Sequence, residues 1–132
     1  PPRDLARLPL LDPHRLDGAR AYGIAKRANQ IRVEAAAAAW GRKGARIVSV
    51  SPGIIATPMA TAEFDSPSGA RMHEMIENSA LHRIGTPDDV AAVVEFLCNT
   101  AASHLTGIDV VVDGGTVATM RAAASLAETR VG

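Results

Sequence analysis

Residues 20–53 read RAYGIAKRANQIRVEAAAAAWGRKGARIVSVSPG, and the reading of this stretch decides the fold. Through Lys43 it holds no proline and is dominated by Ala, Arg, Glu and Gln, all good helix formers. Gly41 and Gly44 then supply stop signals, so the pattern predicts a long helix over residues 20–43. Ile24, Ala28, Ile31 and Ala35 recur at helical spacing and are expected to form its buried stripe. After a tight turn, residues 46–50 (RIVSV) have the length and β-branched content of a buried strand. Ser51-Pro52-Gly53 breaks it.

Downstream, residues 54–67 read as loop with at most one helical turn. Ser66 as N-cap and Pro67 at the first helical position predict a short helix running to about Ser79. Thr86-Pro87-Asp88-Asp89 is a stronger start. The threonine can accept from an orphan amide, the proline sits where no donor is needed, and the acids face the positive end of the helix dipole. Val90, Val93, Val94 and Leu97 carry that helix to about Asn99. Ile108–Val112 (IDVVV) reads as a second buried strand, ended by Asp113-Gly114-Gly115. Upstream, Pro1, Pro2, Pro9 and Pro13 predict an irregular arm over residues 1–18, and residues 116–132 form a C-terminal tail. Helix, strand, helices, strand is the grammar of a parallel α/β sheet with crossover helices. Two strands do not bury both faces of such a sheet, so further strands are expected from elsewhere in a parent sequence or from another chain.

With 132 residues, the chain has room for one domain and hardly two. Fourteen basic and 14 acidic residues give a formal net charge of zero, which offers no long-range attraction to nucleic acid or anionic lipid. No apolar run approaches the roughly 18 residues of a membrane span, and no basic-then-apolar leader opens the sequence. The expectation is a soluble, cytoplasmic protein with no nucleic-acid or membrane partner. Cys98, the one cysteine, allows neither an internal disulfide nor a CxxC site, and is expected to pack as a small helix residue. His14, His73, His82 and His104 show no paired ligand spacing, so no metal is expected.

Chemistry enters with Tyr22 and Lys26. Four residues apart on a helix, both side chains lie on one face within mutual reach. A phenol with an unperturbed pKa near ~10 is a poor acid-base catalyst at neutral pH, and a nearby ammonium lowers it toward the working range. The ammonium also has donors to spare for a diol such as a ribose. The spacing alone leaves two readings open: this acid-base pair, or a surface tyrosine covering a lysine stem. The segment Ser51-Pro52-Gly53-Ile54-Ile55-Ala56-Thr57-Pro58-Met59 adds weight to the first. It follows the carboxyl end of an expected parallel strand, where α/β folds place ligands, and its glycine lets backbone approach a ligand closely.

Together with Arg83-Ile84-Gly85-Thr86-Pro87-Asp88-Asp89-Val90 and the run from Leu105-Thr106-Gly107 to Val112-Asp113-Gly114-Gly115, these segments make a sequence that resembles the short-chain dehydrogenase/reductase family. The likeness covers about residues 18–118 in the family's order and spacing, and is similar in flavour to bacterial carbonyl reductases and hydroxysteroid dehydrogenases. It implies an α/β fold: the C-terminal half of a Rossmann-like doubly wound parallel sheet with flanking helices. It implies NAD or NADP as cofactor, a small-molecule carbonyl or secondary alcohol as substrate, and Tyr22 and Lys26 as catalytic residues that also meet the cofactor. Pro52, Gly53, Ile55 and Thr57 would line the nicotinamide. Residues 58–82 would form a substrate lid with Met59, Met72 and Met75 in apolar contact, against plain packing as the other reading of those methionines. In this family the long helix often packs on its copy, so the alanine run at residues 35–39 suits a homo-oligomer, against an alanine-rich helix inside its own domain as the other reading.

The sequence also departs from the pattern. It contains no G-x-G-x-x-G, and residues 1–48 contain no Ser or Thr, so the phosphate turn and the carbonyl-polarising serine are not within it. The rival to the enzyme is a non-catalytic α/β fragment serving as an oligomerisation or binding module.

Overall fold

The computed structural model describes residues 8–12 and 14–129. Of the proline-rich arm, residues 1–7 and 13 lie outside the described residues, as do residues 130–132 of the tail. Within the arm, Pro9–Leu11 form a single 3-10 turn. The regular elements are α1 (Gly18–Gly41), β1 (Val48–Pro52), α2 (Pro58–Phe64), α3 (Gly69–Glu77), α4 (Pro87–Cys98), β2 (Ile108–Val112) and α5 (Thr116–Thr129). A second 3-10 turn, Thr100–Ala102, follows α4.

β1 and β2 form a parallel two-stranded sheet in the register Val48↔Ile108 through Pro52↔Val112. This is the α/β arrangement the element order predicts. β1 begins two residues later than expected and takes in Pro52. α1 starts and stops two residues earlier than expected, because Asp17 accepts from the Arg20 amide at 2.7 Å and so caps the helix ahead of Arg20. Gly44 adopts φ +71 in the turn that follows.

Side-chain alternation gives the sheet two unlike faces. On one face Val48 and Val50 line a common cavity with Val94 and Leu97 of α4, and Leu97 is one of only three buried apolar residues among those described, with Ala60 and Ala102. The other face is polar and receives α1. Ser49 and Ser51 donate to one Asp109 carboxylate oxygen at 2.6 and 2.9 Å, while Gln30 of α1 donates to the other at 3.0 Å and to the Ser51 hydroxyl at 2.9 Å. The expected stripe of Ile24, Ala28, Ile31 and Ala35 is therefore corrected. Ile24 is half-buried, but Ala28 and Ala35 are exposed and Ile31 is 50% exposed. The inward positions are Gln30, Val33 and Ala37, the last lying where any side chain on Gly107 would have to go. A stripe chosen for apolar character misses a face whose partner is Asp109, which selects an amide instead. Replacing Asp109 with Ala leaves three donors without their acceptor, and we expect a stability loss of about 2 kcal/mol, read by urea denaturation.

α4 starts where the local signals put it. Thr86 accepts from the Asp89 amide, Asp89 accepts from the Thr86 amide, and Pro87 occupies the first turn. At its other end, Arg46 donates to the carbonyls of Leu97 at 2.7 Å and Leu105 at 3.2 Å, placing a cation against the negative end of the helix. Cys98 is exposed rather than packed. Residues 58–64 form a helix of two turns where the sequence predicts loop with at most one, because Thr57 caps it by accepting from the Ala60 amide at 3.2 Å. The helix expected from Ser66 begins at Gly69 instead. Ser66 closes a turn, donating to the Glu63 carbonyl and accepting from the Ser68 amide. The C-terminal tail is helical over residues 116–129.

Candidate functional site

The site is built where both strands end. β1 runs out at Pro52-Gly53 and β2 at Asp113-Gly114-Gly115, and the two turns touch: the Gly53 amide donates to the Val112 carbonyl at 3.0 Å. Asp113 holds its own turn, accepting from the Gly115 and Val117 amides at 2.8 Å each, which caps α5. Gly114 and Gly115 stand at φ +62 and +84, a region closed to most side chains, and Ala80 packs where a Gly115 side chain would be. The Leu81 amide donates to the Gly114 carbonyl at 3.0 Å, tying the segment after α3 to this edge.

Tyr22 and Lys26 lie in the second and third turns of α1. The Lys26 Nζ sits 5.1 Å from the centre of the Tyr22 ring, within cation–π range, and Tyr22 is 65% exposed. The pair therefore stands together on one helix face and opens to solvent. Gln30 extends the same face one turn further, and it is Gln30 that bonds to Ser51, immediately before Pro52-Gly53.

Pro52, Gly53 and Met75 line a cavity of about 530 Å³ together with Arg27, Gln30 and Arg121. Ile55 instead lines a separate cavity of about 250 Å³ with Leu81, Arg83 and Gly115. Tyr22, Lys26, Thr57, Met59 and Met72 line neither. Met59 is 80% exposed, while Met72 and Met75 are half-buried. The structure thus gathers the expected residues in three groups: the Tyr22–Lys26 pair, the Pro52–Gly53–Met75 wall, and Ile55 on its own loop. Two network members, Gln30 and Asp109, escaped the reading of the sequence. Gln30 had a signal, since residues 22, 26 and 30 share one helix face. Asp109 had one too, as the lone acid in the strand IDVVV.

The loop bearing Ile55 is fastened by a parallel bridge between Ile55 and Gly85. The Ala56 amide donates to the Gly85 carbonyl at 2.8 Å and the Gly85 amide to the Ile54 carbonyl at 2.9 Å. Just beyond, Arg83 forks onto Asp89, with Nη1 to Oδ2 at 2.8 Å and Nη2 to Oδ1 at 3.0 Å. The Arg83 guanidinium holds the Asp89 carboxyl well below the usual carboxylate range, helped by the Thr86 amide and hydroxyl, and Asp89 raises Arg83 in turn. Because the folded value is depressed, the stabilisation from Asp89 is present above the ordinary carboxyl value of 3.8 and is lost as pH falls below it. Asp89→Asn should flatten that acid limb, read from Tm between pH 5 and pH 2, roughly the span over which an ordinary carboxyl titrates.

Among the described residues no group of three or more His, Cys, Asp or Glu side chains could hold a metal ion, and no helix is long and apolar enough to cross a membrane. His73 stacks its ring on Phe64 at 4.8 Å, and His82 turns at φ +51 with Nδ1 2.7 Å from the Glu77 carbonyl oxygen.

A family model described as enoyl-(acyl carrier protein) reductase matches residues 14–117. A short-chain dehydrogenase/reductase from Alternaria brassicicola is 42% identical over 117 residues, covering 89% of this chain and 43% of that protein. A 3-alpha-hydroxysteroid dehydrogenase/carbonyl reductase from Comamonas testosteroni is 37% identical over 106 residues, covering 79% of this chain and 40% of that protein. Among solved structures, a 4-hydroxyisoleucine dehydrogenase mutant complexed with NADH and succinate superposes with a TM-score of 0.65 at 31% identity, over 74% of this chain and 40% of that one. The chain thus spans about 40% of the length of its relatives. Fold and likeness together define a Rossmann-type α/β architecture. The chain belongs to the short-chain dehydrogenase/reductase family.

Proposed function

We propose that this chain carries the proton-transfer and nicotinamide-facing portion of an NAD(P)-dependent oxidoreductase acting on a small carbonyl compound or secondary alcohol. The observation that carries the reading is the Tyr22–Lys26 pair, with Nζ 5.1 Å from the ring and both side chains exposed at the start of α1. Tyr22 gives a proton to the substrate oxygen on reduction and takes it back on oxidation. Lys26 stabilises the phenolate and offers its remaining donors to a ribose diol. NAD or NADP, when bound, supplies or accepts the hydride.

The donor set suits such a group. A phenol and an ammonium share one open face, and the turn at Gly53 presents backbone without a side chain. Thr57 spends a lone pair on the Ala60 amide, which leaves its hydroxyl proton for a carboxamide oxygen. Ile55 sits on the same loop, held by its bridge to Gly85. Residues 58–82, comprising α2, α3 and their links, act as the lid, with Met72 and Met75 as its half-buried apolar contacts and Met59 exposed at its start. A cytoplasmic homo-oligomer is the setting that fits this reading.

The family's Gly-rich phosphate turn and its serine do not occur in these 132 residues, so the 132-residue chain alone should show no turnover. The test is a panel of ketones and secondary alcohols offered to the full-length protein with each nicotinamide cofactor, followed by absorbance of the reduced nicotinamide. Turnover with at least one substrate is expected. Absence of turnover across the panel, with no binding of either cofactor by fluorescence, would refute the proposal and favour the binding-module alternative.

A further inference from the structure

The residues given to the nicotinamide side include Ile55, yet residues 54–56 belong to neither strand. Among the described residues their backbone is tied down at Gly85: the Ala56 amide donates to the Gly85 carbonyl and the Gly85 amide to the Ile54 carbonyl, across the Ile55↔Gly85 bridge. Gly85 is in turn pinned from both sides. Arg83 lies two residues before it, and its guanidinium donates both to the Ile84 carbonyl at 3.1 Å and to both oxygens of Asp89. Thr86 lies one residue after it, and its amide and hydroxyl donate to Asp89 Oδ2 at 2.7 and 3.0 Å. One carboxylate thus gathers donors from the residues on either side of the bridging glycine and anchors them to the first turn of α4. On the loop side Gly85 lies close under Ile55, whose Cδ1 would have to move aside for a Cβ there, 2.7 Å away.

The geometry points to Arg83, Thr86 and Asp89 as a positioning clamp that sets the loop of residues 54–56 for the nicotinamide without touching it. The clamp's kinetic consequence rests on the oxidoreductase reading above, while its existence does not. A bidentate arginine–carboxylate pair fixes direction as well as distance, which a single point contact would not. A glycine held in this way presents its amide and carbonyl to the loop at one fixed spacing. Releasing one end lets residues 54–56 fray, since they have no strand neighbours of their own to hold them.

The experiment is hydrogen exchange on the cofactor-free full-length protein, comparing wild type with Asp89→Asn, which keeps the size of the side chain but loses the charge that Arg83 grips. The expected result is exchange at least about tenfold faster at the Ala56 and Gly85 amides, with the Val50 and Val110 amides in the strands accelerated clearly less. NADH titration should then show several-fold weaker binding and steady-state assays a raised KM with kcat largely kept, a split that simple loss of folded protein does not produce. Unchanged exchange at Ala56 and Gly85, or equal acceleration at the strand amides, would overturn the clamp. If Asp89→Asn does not fold, Arg83→Lys serves in its place, because it removes the fork and leaves the capping box whole. A wild-type protein that binds no NADH would sink the oxidoreductase reading, and the exchange result would still decide the clamp.

Discussion

Tyr22→Phe should lower kcat of the full-length protein by about 10³-fold while leaving cofactor affinity nearly unchanged. The variant isolates one atom. Tyr22 is 65% exposed, so the ring contributes little to the packed interior, and phenylalanine keeps both the ring and its place over the Lys26 ammonium. What is lost is the hydroxyl to which the proposal assigns the proton exchange with the substrate oxygen. Lys26→Met should behave differently, weakening cofactor binding as well as turnover, since the ammonium is asked to serve the phenolate and a ribose at once. Steady-state kinetics and NADH fluorescence titration on both variants separate the two roles. A Tyr22→Phe protein that retains wild-type kcat would remove Tyr22 from the chemistry. A Lys26→Met protein with unchanged cofactor affinity would confine the lysine to its neighbour.

Local chemistry was the legible part of this sequence. The start of α4 could be read because Thr86, Pro87 and Asp89 satisfy one another within four residues and need nothing from elsewhere. The Tyr22–Lys26 pair was readable for the same reason: helical geometry alone brings positions four apart together. Ser66 shows where that logic fails. Its hydroxyl does what a cap does, accepting from an amide two residues on, but it closes a turn after α2 instead of opening α3. α3 begins only at Gly69, which is buried against the Phe64 carbonyl where any Cβ would collide. That is a demand of how the chain folds back after α2, invisible in cap spacing. The inward face of α1 was missed for a related reason, since Gln30 is called inward by Ser51 and Asp109, 21 and 79 residues away. Hydropathy registers what a residue is and says nothing about the polar strand face that will meet it.

Gly53→Ala should damage the fold at the site, at a cost of about 2–3 kcal/mol, and Gly23→Ala, thirty residues upstream, should do the opposite. A Cβ on Gly53 would stand 2.7 Å from Asp113 Cα and 2.8 Å from its Cβ, closer than real side chains approach. Neither neighbour can step aside cheaply. The Gly53 amide is bonded to Val112, while Asp113 is held by its carboxylate to the Gly115 and Val117 amides and by its carbonyl to the Thr116 hydroxyl at 2.8 Å. Relief must therefore push the end of β2 away from β1 or break the cap of α5. Gly23 lies in α1 between Tyr22 and Lys26, and a Cβ there meets nothing within 4 Å. Alanine at that position restricts the unfolded chain and suits the helix, which favours folding by roughly 0.5–1 kcal/mol. Thermal denaturation of the two variants side by side makes the comparison: a fall of roughly 10 °C for Gly53→Ala against a rise of a few degrees for Gly23→Ala. A Gly53→Ala protein with the wild-type midpoint would mean that the two strand ends do not meet as closely as this geometry requires. The wall assigned to the nicotinamide would then need a different shape.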